Sequence, residues 1–280
     1  MLIASKVQAQ NLFESDWFSG NIYKFTSDGT QSTFASGLDS PFALAFNSAG
    51  ALFVADNHTG NIYEFTPDGT QSTFASGLNE PCALAFNSAG DLFVADAGAG
   101  NIYKFTVGGA KSIFVSGLNG PGGLAFNRAG DLFVADWGSG NIYKFTPGGV
   151  QSTFASGFYF GPSGLAFDSA GNLFVTVTGS GRIYEFTPEG VQSTFASGLS
   201  LPEGLAFNSA GGLFEADQVT GHIYEFTPGG VQSTFASGLD GPIGLVFQGQ
   251  SLPVPEPSPL GLLVIGATAL LVRRRRNLAS

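Results

Sequence analysis

Sulfur and imidazole are scarce in this chain of 280 residues: one cysteine, Cys82, one methionine, and two histidines, His58 and His222. A single thiol excludes an intrachain disulfide framework and every CxxC zinc or redox motif. A large enough core makes disulfides dispensable even outside the cell. The histidines stand far apart in sequence, and no Ser/His/Asp arrangement is legible. Charge is thin as well, at 11%. The segment after Phe247 holds four of the eleven basic residues and one of the 21 acidic ones, which leaves −13 on the rest. A body of that charge, with no Lys/Arg cluster, repels nucleic acid, and its acidity serves solubility. Before the C-terminal tail nothing follows the 3.6-residue period of an amphipathic helix.

What the chain has in quantity is punctuation and phenylalanine: 41 Gly, 14 Pro and 28 Phe. They recur in register. The segment G-N-I-Y begins at Gly20, Gly60, Gly100 and Gly140, returning as G-R-I-Y at Gly181 and G-H-I-Y at Gly221, a spacing of 40 broken by one extra residue near Phe158-Tyr159-Phe160. One unit, Pro41 to Leu78, holds four runs with strand character: A-L-A-F (43–46), L-F-V-A-D (52–56), N-I-Y-E-F-T (61–66) and Q-S-T-F-A-S (71–76). Each is rich in Phe, Ile, Val, Tyr and Thr and is bounded by turn residues.

Four short antiparallel strands in such a unit make one propeller blade. Phe46, Phe53, Phe65 and Phe74 give one unit more aromatic surface than a small sheet buries alone, and packing blade on blade buries it. A linear β-solenoid needs polar capping repeats, and none is visible. The array starts at a second strand, Leu12-Phe13-Glu14-Ser15-Asp16, and stops after a first strand, Gly244-Leu245-Val246-Phe247. Residues 242–247 and 12–36 therefore complete a sixth blade between them. The expected fold is an all-β six-bladed propeller over residues 11–248, its ring closed by N- and C-terminal strands sharing one blade.

The unit resembles the NHL repeat and the related SMP-30/gluconolactonase-like propellers through P-x-G/A-L-A-F, a turn ending in Gly, L-F-V-A-D and the spacer to G-N-I-Y-x-F. The resemblance implies the fold strongly and function weakly. In the lactonases it also implies a divalent metal held by Glu, Asn and Asp near the starts of inner strands. The equivalent positions here are Phe42, Cys82, Gly122, Ser163, Glu203 and Ile243, of which only Glu203 is a good oxygen ligand. On that ground no catalytic residue, metal or cofactor is assigned. The reading is a non-enzymatic binding or scaffold module, with a metal-dependent lactonase or a purely structural surface protein as alternatives.

Comparing the repeats with one another locates the variation. The N-S-A-G turns hardly change, whereas the loops between second and third strands, and those between blades, differ from unit to unit. In propellers these two loop sets share one face. Trp17, Phe18, His58, Trp137, Tyr159, Phe160 and Glu203 fall there and form the candidate ligand-binding face for a protein or glycan; the alternative is drift in tolerant loops. Asp16, Asp56, Asp96, Asp136 and Asp217 close the second strands, with Val177 in the sixth. Their carboxylates are expected to accept backbone N–H bonds in their own turns. His222 is expected at the surface. Glu14 and Glu215 replace the Val of F-V-A-D in adjoining blades, either as a paired carboxylate site or as outward-facing strand positions.

After the propeller, residues 249–258 read as a proline-rich linker and residues 259–280 as an apolar run, Pro259 to Val272, expected to form a short helix, ending in Arg273, Arg274, Arg275 and Arg276. With Pro255-Glu256-Pro257 ahead of it, this resembles the bacterial PEP-CTERM sorting signal. The resemblance implies export, transient membrane anchoring with the arginines on the cytoplasmic side, and an exosortase-type membrane enzyme as processing partner. The apolar run, roughly 21 Å as helix, is shorter than a bilayer core of about 30 Å, and snorkelling arginines and local thinning cover part of the gap. At the other end Val7-Gln8-Ala9 resembles the close of a secretory signal, so residues 1–10 read as a signal remnant.

Overall fold

The computed structural model describes residues 10–249 except Phe160. Three strands open the chain: β1 (Leu12–Asp16), β2 (Asn21–Phe25) and β3 (Gln31–Ala35). Five complete blades follow. Blade 1 is β4 (Pro41–Phe46), β5 (Leu52–Asp56), β6 (Asn61–Phe65) and β7 (Gln71–Ala75); blade 2 is β8 (Pro81–Phe86), β9 (Leu92–Asp96), β10 (Asn101–Phe105) and β11 (Lys111–Ser116). Blade 3 is β12 (Pro121–Phe126), β13 (Leu132–Asp136), β14 (Asn141–Phe145) and β15 (Gln151–Ser156). Blade 4 is β16 (Pro162–Phe167), β17 (Leu173–Val177), β18 (Arg182–Phe186) and β19 (Gln192–Ser197); blade 5 is β20 (Pro202–Phe207), β21 (Leu213–Asp217), β22 (His222–Phe226) and β23 (Gln232–Ser237). The last strand, β24 (Pro242–Phe247), pairs antiparallel with β1 in the register Leu12↔Phe247 and Glu14↔Leu245, completing blade 6. The inner strands pack in ring order, and β24 touches both β20 and β4. The six-bladed ring and its shared closing blade thus follow the sequence expectation.

Inner strands begin two residues earlier than the apolar pattern suggests, at the proline. Pro41 lies opposite Asp56 beyond a register shift that ends at Leu44. Proline has no N–H for the ladder and is tolerated at a strand's first residue or beside a bulge.

The second-strand phenylalanine of each blade sits between two others, edge to face. Phe53 meets Phe74 of its own blade and Phe86 of the next, both at 5.1 Å between ring centres. Phe93, Phe133, Phe174, Phe214 and Phe13 repeat the arrangement around the ring. Such contacts contribute about 0.5–1.5 kcal/mol beyond area burial. On the axis, Leu44, Leu84, Leu124, Leu165, Leu205 and Leu245 form a ring of buried side chains that separates the two mouths of the central channel. At the foot of the ring both ends of the described chain meet: the Gln248 N–H donates to the Asn11 carbonyl at 2.9 Å, and Gln10 reaches the carbonyl of Gln248 and the N–H of Ser209.

Glu14 and Glu215 correct both readings offered above. Each is fully buried, with no hydrogen-bond partner for either carboxylate oxygen among the described residues. They do not pair. Glu215 lies beside Leu205, whose apolar neighbours Phe174 and Ile183 belong to blade 4. Glu14 lies beside Leu245, whose neighbours Phe214 and Ala216 belong to blade 5. They therefore occupy successive seams. His222 is half-buried rather than at the surface, stacked on Tyr224 at 5.4 Å.

Two outcomes are expected. A chain ending at Gly241 lacks β24 and loses cooperative thermal unfolding by circular dichroism, while one ending at Gly249 keeps it. Burial, with some repulsion from Asp16 and Asp217, holds the Glu14 and Glu215 carboxyls well above the ordinary 4.5. The folded state therefore keeps protons that the unfolded chain releases. Each group's penalty is absent below about pH 4.5 and grows as pH rises toward its folded-state pKa. Glu14→Val and Glu215→Val should each raise Tm by several degrees at pH 7.5, and the gain should shrink toward pH 4.5 to the part owed to removing a buried, unpartnered carboxyl.

Candidate functional site

The variable loops are fixed in place by the aspartates that precede them. Asp136 accepts the Asn119 N–H through both oxygens at 2.9 and 3.1 Å, joining strand end to inter-blade loop. Asp96 likewise takes the Asn79 N–H through both oxygens, Asp56, Asp217 and Asp16 take those of Asp39, Ser200 and Asp240 through one, and each of these four also accepts an N–H in its own turn. The expected turn role holds for Asp16, Asp56, Asp96 and Asp217, whereas in the Asp136 turn the Ser139 hydroxyl donates to the Asp136 carbonyl at 3.3 Å. A clasp 17 residues away in sequence is added within blades 1, 2, 3 and 5. Where Val177 replaces the aspartate, the turn tightens into the 3-10 segment Thr178–Ser180, and the Thr178 hydroxyl donates to the Gly161 carbonyl instead.

The clasped loops surround the upper mouth of the channel, where a cavity of about 390 Å³ is lined by Trp17, Phe42, Asn57, Glu80, Cys82, Trp137, Ser163, Thr178 and Glu203 among others. Its aromatic walls are held by backbone and ring contacts. The Trp17 N–H donates to Gly241 O at 2.9 Å, and its ring stands edge to face against Phe42 at 5.4 Å. The Trp137 N–H donates to Gly120 O at 3.0 Å. Its indole lies over Gly161, where a Cβ would collide with it, so the insertion loop needs glycine at that point.

Glu203 supplies the polar floor. The Ser163 hydroxyl donates to its Oε2 at 2.6 Å. Its carbonyl accepts the Thr176 hydroxyl at 2.8 Å, and Thr176 in turn accepts the Gly164 N–H at 2.7 Å. Desolvation pushes the Glu203 carboxyl up to about 7, against the pull of the Ser163 hydrogen bond. Burial pushes the Cys82 thiol, across the mouth in blade 2, up to about 12; it remains an S–H and donates to Pro121 O at 2.9 Å.

Of the seven residues expected on one binding face, Trp17, Trp137 and Glu203 converge on this cavity. Phe18 and Tyr159 are exposed at 65% and 94%. His58 is not among the lining residues and pairs with Asp39 at 3.4 Å near the rim. Phe160 lies outside the described residues, as do Pro255, Glu256, Pro257 and Arg273 to Arg276. Sequence reasoning missed the hydroxyl shell. Thr176 stands where four other units have Ala, a polar residue at a core position, and that was its signal.

The mouth does not fit the divalent metal that lactonase resemblance implies. Among the six equivalent positions only Glu203 offers a carboxylate, Ser163 is spent on Glu203, and Cys82 is protonated. No group of three or more His, Cys, Asp or Glu side chains converges among the described residues, whereas such an ion takes about three protein ligands or more.

Residues 44–156 match the family model of the SMP-30/gluconolactonase/LRE-like region. No curated protein matches the chain. Among solved structures, one from a nidogen/laminin complex is 19% identical with a TM-score of 0.77, covering 88% of this chain and 99% of its own. Virginiamycin B lyase from Staphylococcus aureus is 15% identical with a TM-score of 0.66, covering 89% and 94%. A candidate gluconolactonase is 17% identical with a TM-score of 0.67, covering 75% and 82%. At these identities the structural likenesses establish the propeller fold and nothing further. The expectation of a non-enzymatic module draws no support from a family named for a lactonase or from a lyase neighbour.

Asp136→Ala removes a charged acceptor and strands a backbone N–H. It is expected to destabilise the ring by about 2–3 kcal/mol, read as a lower urea midpoint at unchanged m.

Proposed function

We propose that this propeller processes a small molecule in the channel-mouth cavity by metal-independent hydrolysis or elimination, with Glu203 as the proton-transferring group. One observation carries the reading: a carboxyl raised to about 7 and oriented by the Ser163 hydroxyl forms the floor of an aromatic-walled cavity. A general base works best when its pKa lies near the operating pH. The Glu203 carboxylate accepts a proton from water attacking an ester or lactone carbonyl, or from carbon beside a carbonyl in an elimination, and returns it to the leaving oxygen. Ser163 keeps one carboxylate oxygen fixed while the other faces the proton. The lactonase-like family match over residues 44–156 supports this class of substrate.

A second reading rests on the exposed aromatics of the same face, Phe18, Trp137 and Tyr159: an exported propeller that holds a protein or glycan partner. In either reading the PEP-CTERM-like tail delivers the ring to the cell envelope through an exosortase-type enzyme. Among the described residues no helix is long and apolar enough to cross a membrane.

Proton release from a panel of lactones and cyclic esters tests the first reading. Turnover should rise with pH to a plateau above about 7 and fall at least 100-fold in Glu203→Gln at unchanged Tm. Ser163→Ala should move the plateau to higher pH, because the ionised carboxyl loses a donor. Turnover indifferent to Glu203→Gln defeats the proposal. Loss of glycan-array binding in Trp137→Ala, with no turnover of any substrate, favours the second reading.

A further inference from the structure

The four departures that most change the chemistry of the mouth stand in two crossed pairs. With six blades in ring order, blades 3 and 6 face each other across the axis, and so do blades 2 and 5. Trp137 belongs to blade 3 and Trp17 to blade 6. Glu80 precedes the inner strand of blade 2, and Glu203 lies in that of blade 5. Two indoles therefore oppose each other across the mouth, and two carboxyl side chains oppose each other between them. All four line one cavity, with Phe42 as a fifth wall and no lysine or arginine among the lining residues.

Glu80 holds its place at a cost. Its φ is +60°, in the left-handed region that this turn imposes on Ser40 as well at +64°, and the same position before the inner-strand proline is glycine in three other repeats, Gly120, Gly161 and Gly241. A bulky residue in that conformation is strained, and such strain gathers at sites where the side chain is needed. Trp17 is also set in advance, because its ring is fixed edge to face on Phe42 at 5.4 Å.

Aromatic faces carry negative potential and attract a desolvated positive head, most strongly for indole. Carboxylates on the two remaining sides add to that field. We infer that the cavity is selective for a cationic ligand, an alkylated ammonium whose head sits among Trp17, Trp137, Glu80 and Glu203. The inference rests on this cavity being the functional site and gives its substrate a charge class. A volume of about 390 Å³ leaves room for an organic substituent beyond the head.

The test compares choline with 3,3-dimethylbutan-1-ol, which has the same shape with carbon in place of charged nitrogen. Tryptophan fluorescence and calorimetry at pH 8 provide the readouts. Choline should bind about tenfold or more tightly than the alcohol. Trp137→Ala and Glu203→Gln should each remove most of that preference, with Tm confirming that both variants fold. Choline should also compete with whichever lactone is turned over. Equal binding of the two probes, or binding of neither up to about 50 mM, overturns the inference. If neutral lactones are still turned over in a Glu203-dependent way, the catalytic reading survives and only the charge class is lost. If choline binds selectively and no substrate is turned over, the charge class stands and the catalytic reading fails.

Discussion

The seams between blades hold this molecule together. Each sheet has four short strands, too few to enclose a core of its own, and the apolar clusters all bridge one blade and the next. Phe13, Phe53, Phe93, Phe133, Phe174 and Phe214 each reach the inner strand of the following blade, so every sheet is a wall for its neighbour. A ring built this way has no free end, which makes the β1–β24 pairing a structural requirement. The aspartate clasps then use the rigidity of the seams to fix loops that have few apolar contacts.

The architecture was legible because repetition makes the pattern self-checking. Turn glycines, strand phenylalanines and the permuted ends each pointed to the same ring, and the strand boundaries differ mainly where proline begins the inner strand. The gathering of Trp17, Trp137 and Glu203 was partly legible, since loop variation placed them on one face. Distance to the axis was not. His58 and Tyr159 occupy equally variable loops, yet one pairs with Asp39 and the other points into solvent. Whether a loop side chain turns inward depends on its neighbours, as with the glycine beneath Trp137, and no repeat comparison reveals that.

Glu14 and Glu215 were misread for an instructive reason. In a strand with one wet face, a carboxylate among Val positions belongs on that face. Here the second strands are buried along their whole length in every blade, so no wet face exists. Polar departures in these strands therefore either find partners or stay neutral. Ser15 and Thr176 find partners by bridging to Phe42 O and Glu203 O in the next blade. Glu215 finds no partner, and burial, with repulsion from Asp217 and Glu203, favours its protonated form. Ser163, Thr176, Glu203, Glu215, Glu14 and Ser15 thus concentrate polar departures in blades 4, 5 and 6.

The meeting of Gln10, Asn11 and Gln248 at the foot of the ring sets the polarity of the whole particle. Inner strands run from the cavity end to this foot, so both termini of the described chain depart on the side away from the mouth. A support joined at either end stands behind the disc and cannot obstruct its opening. Many copies held on one sheet of material by that stem would all turn the same way, forming a layer whose outer surface is a field of open cups.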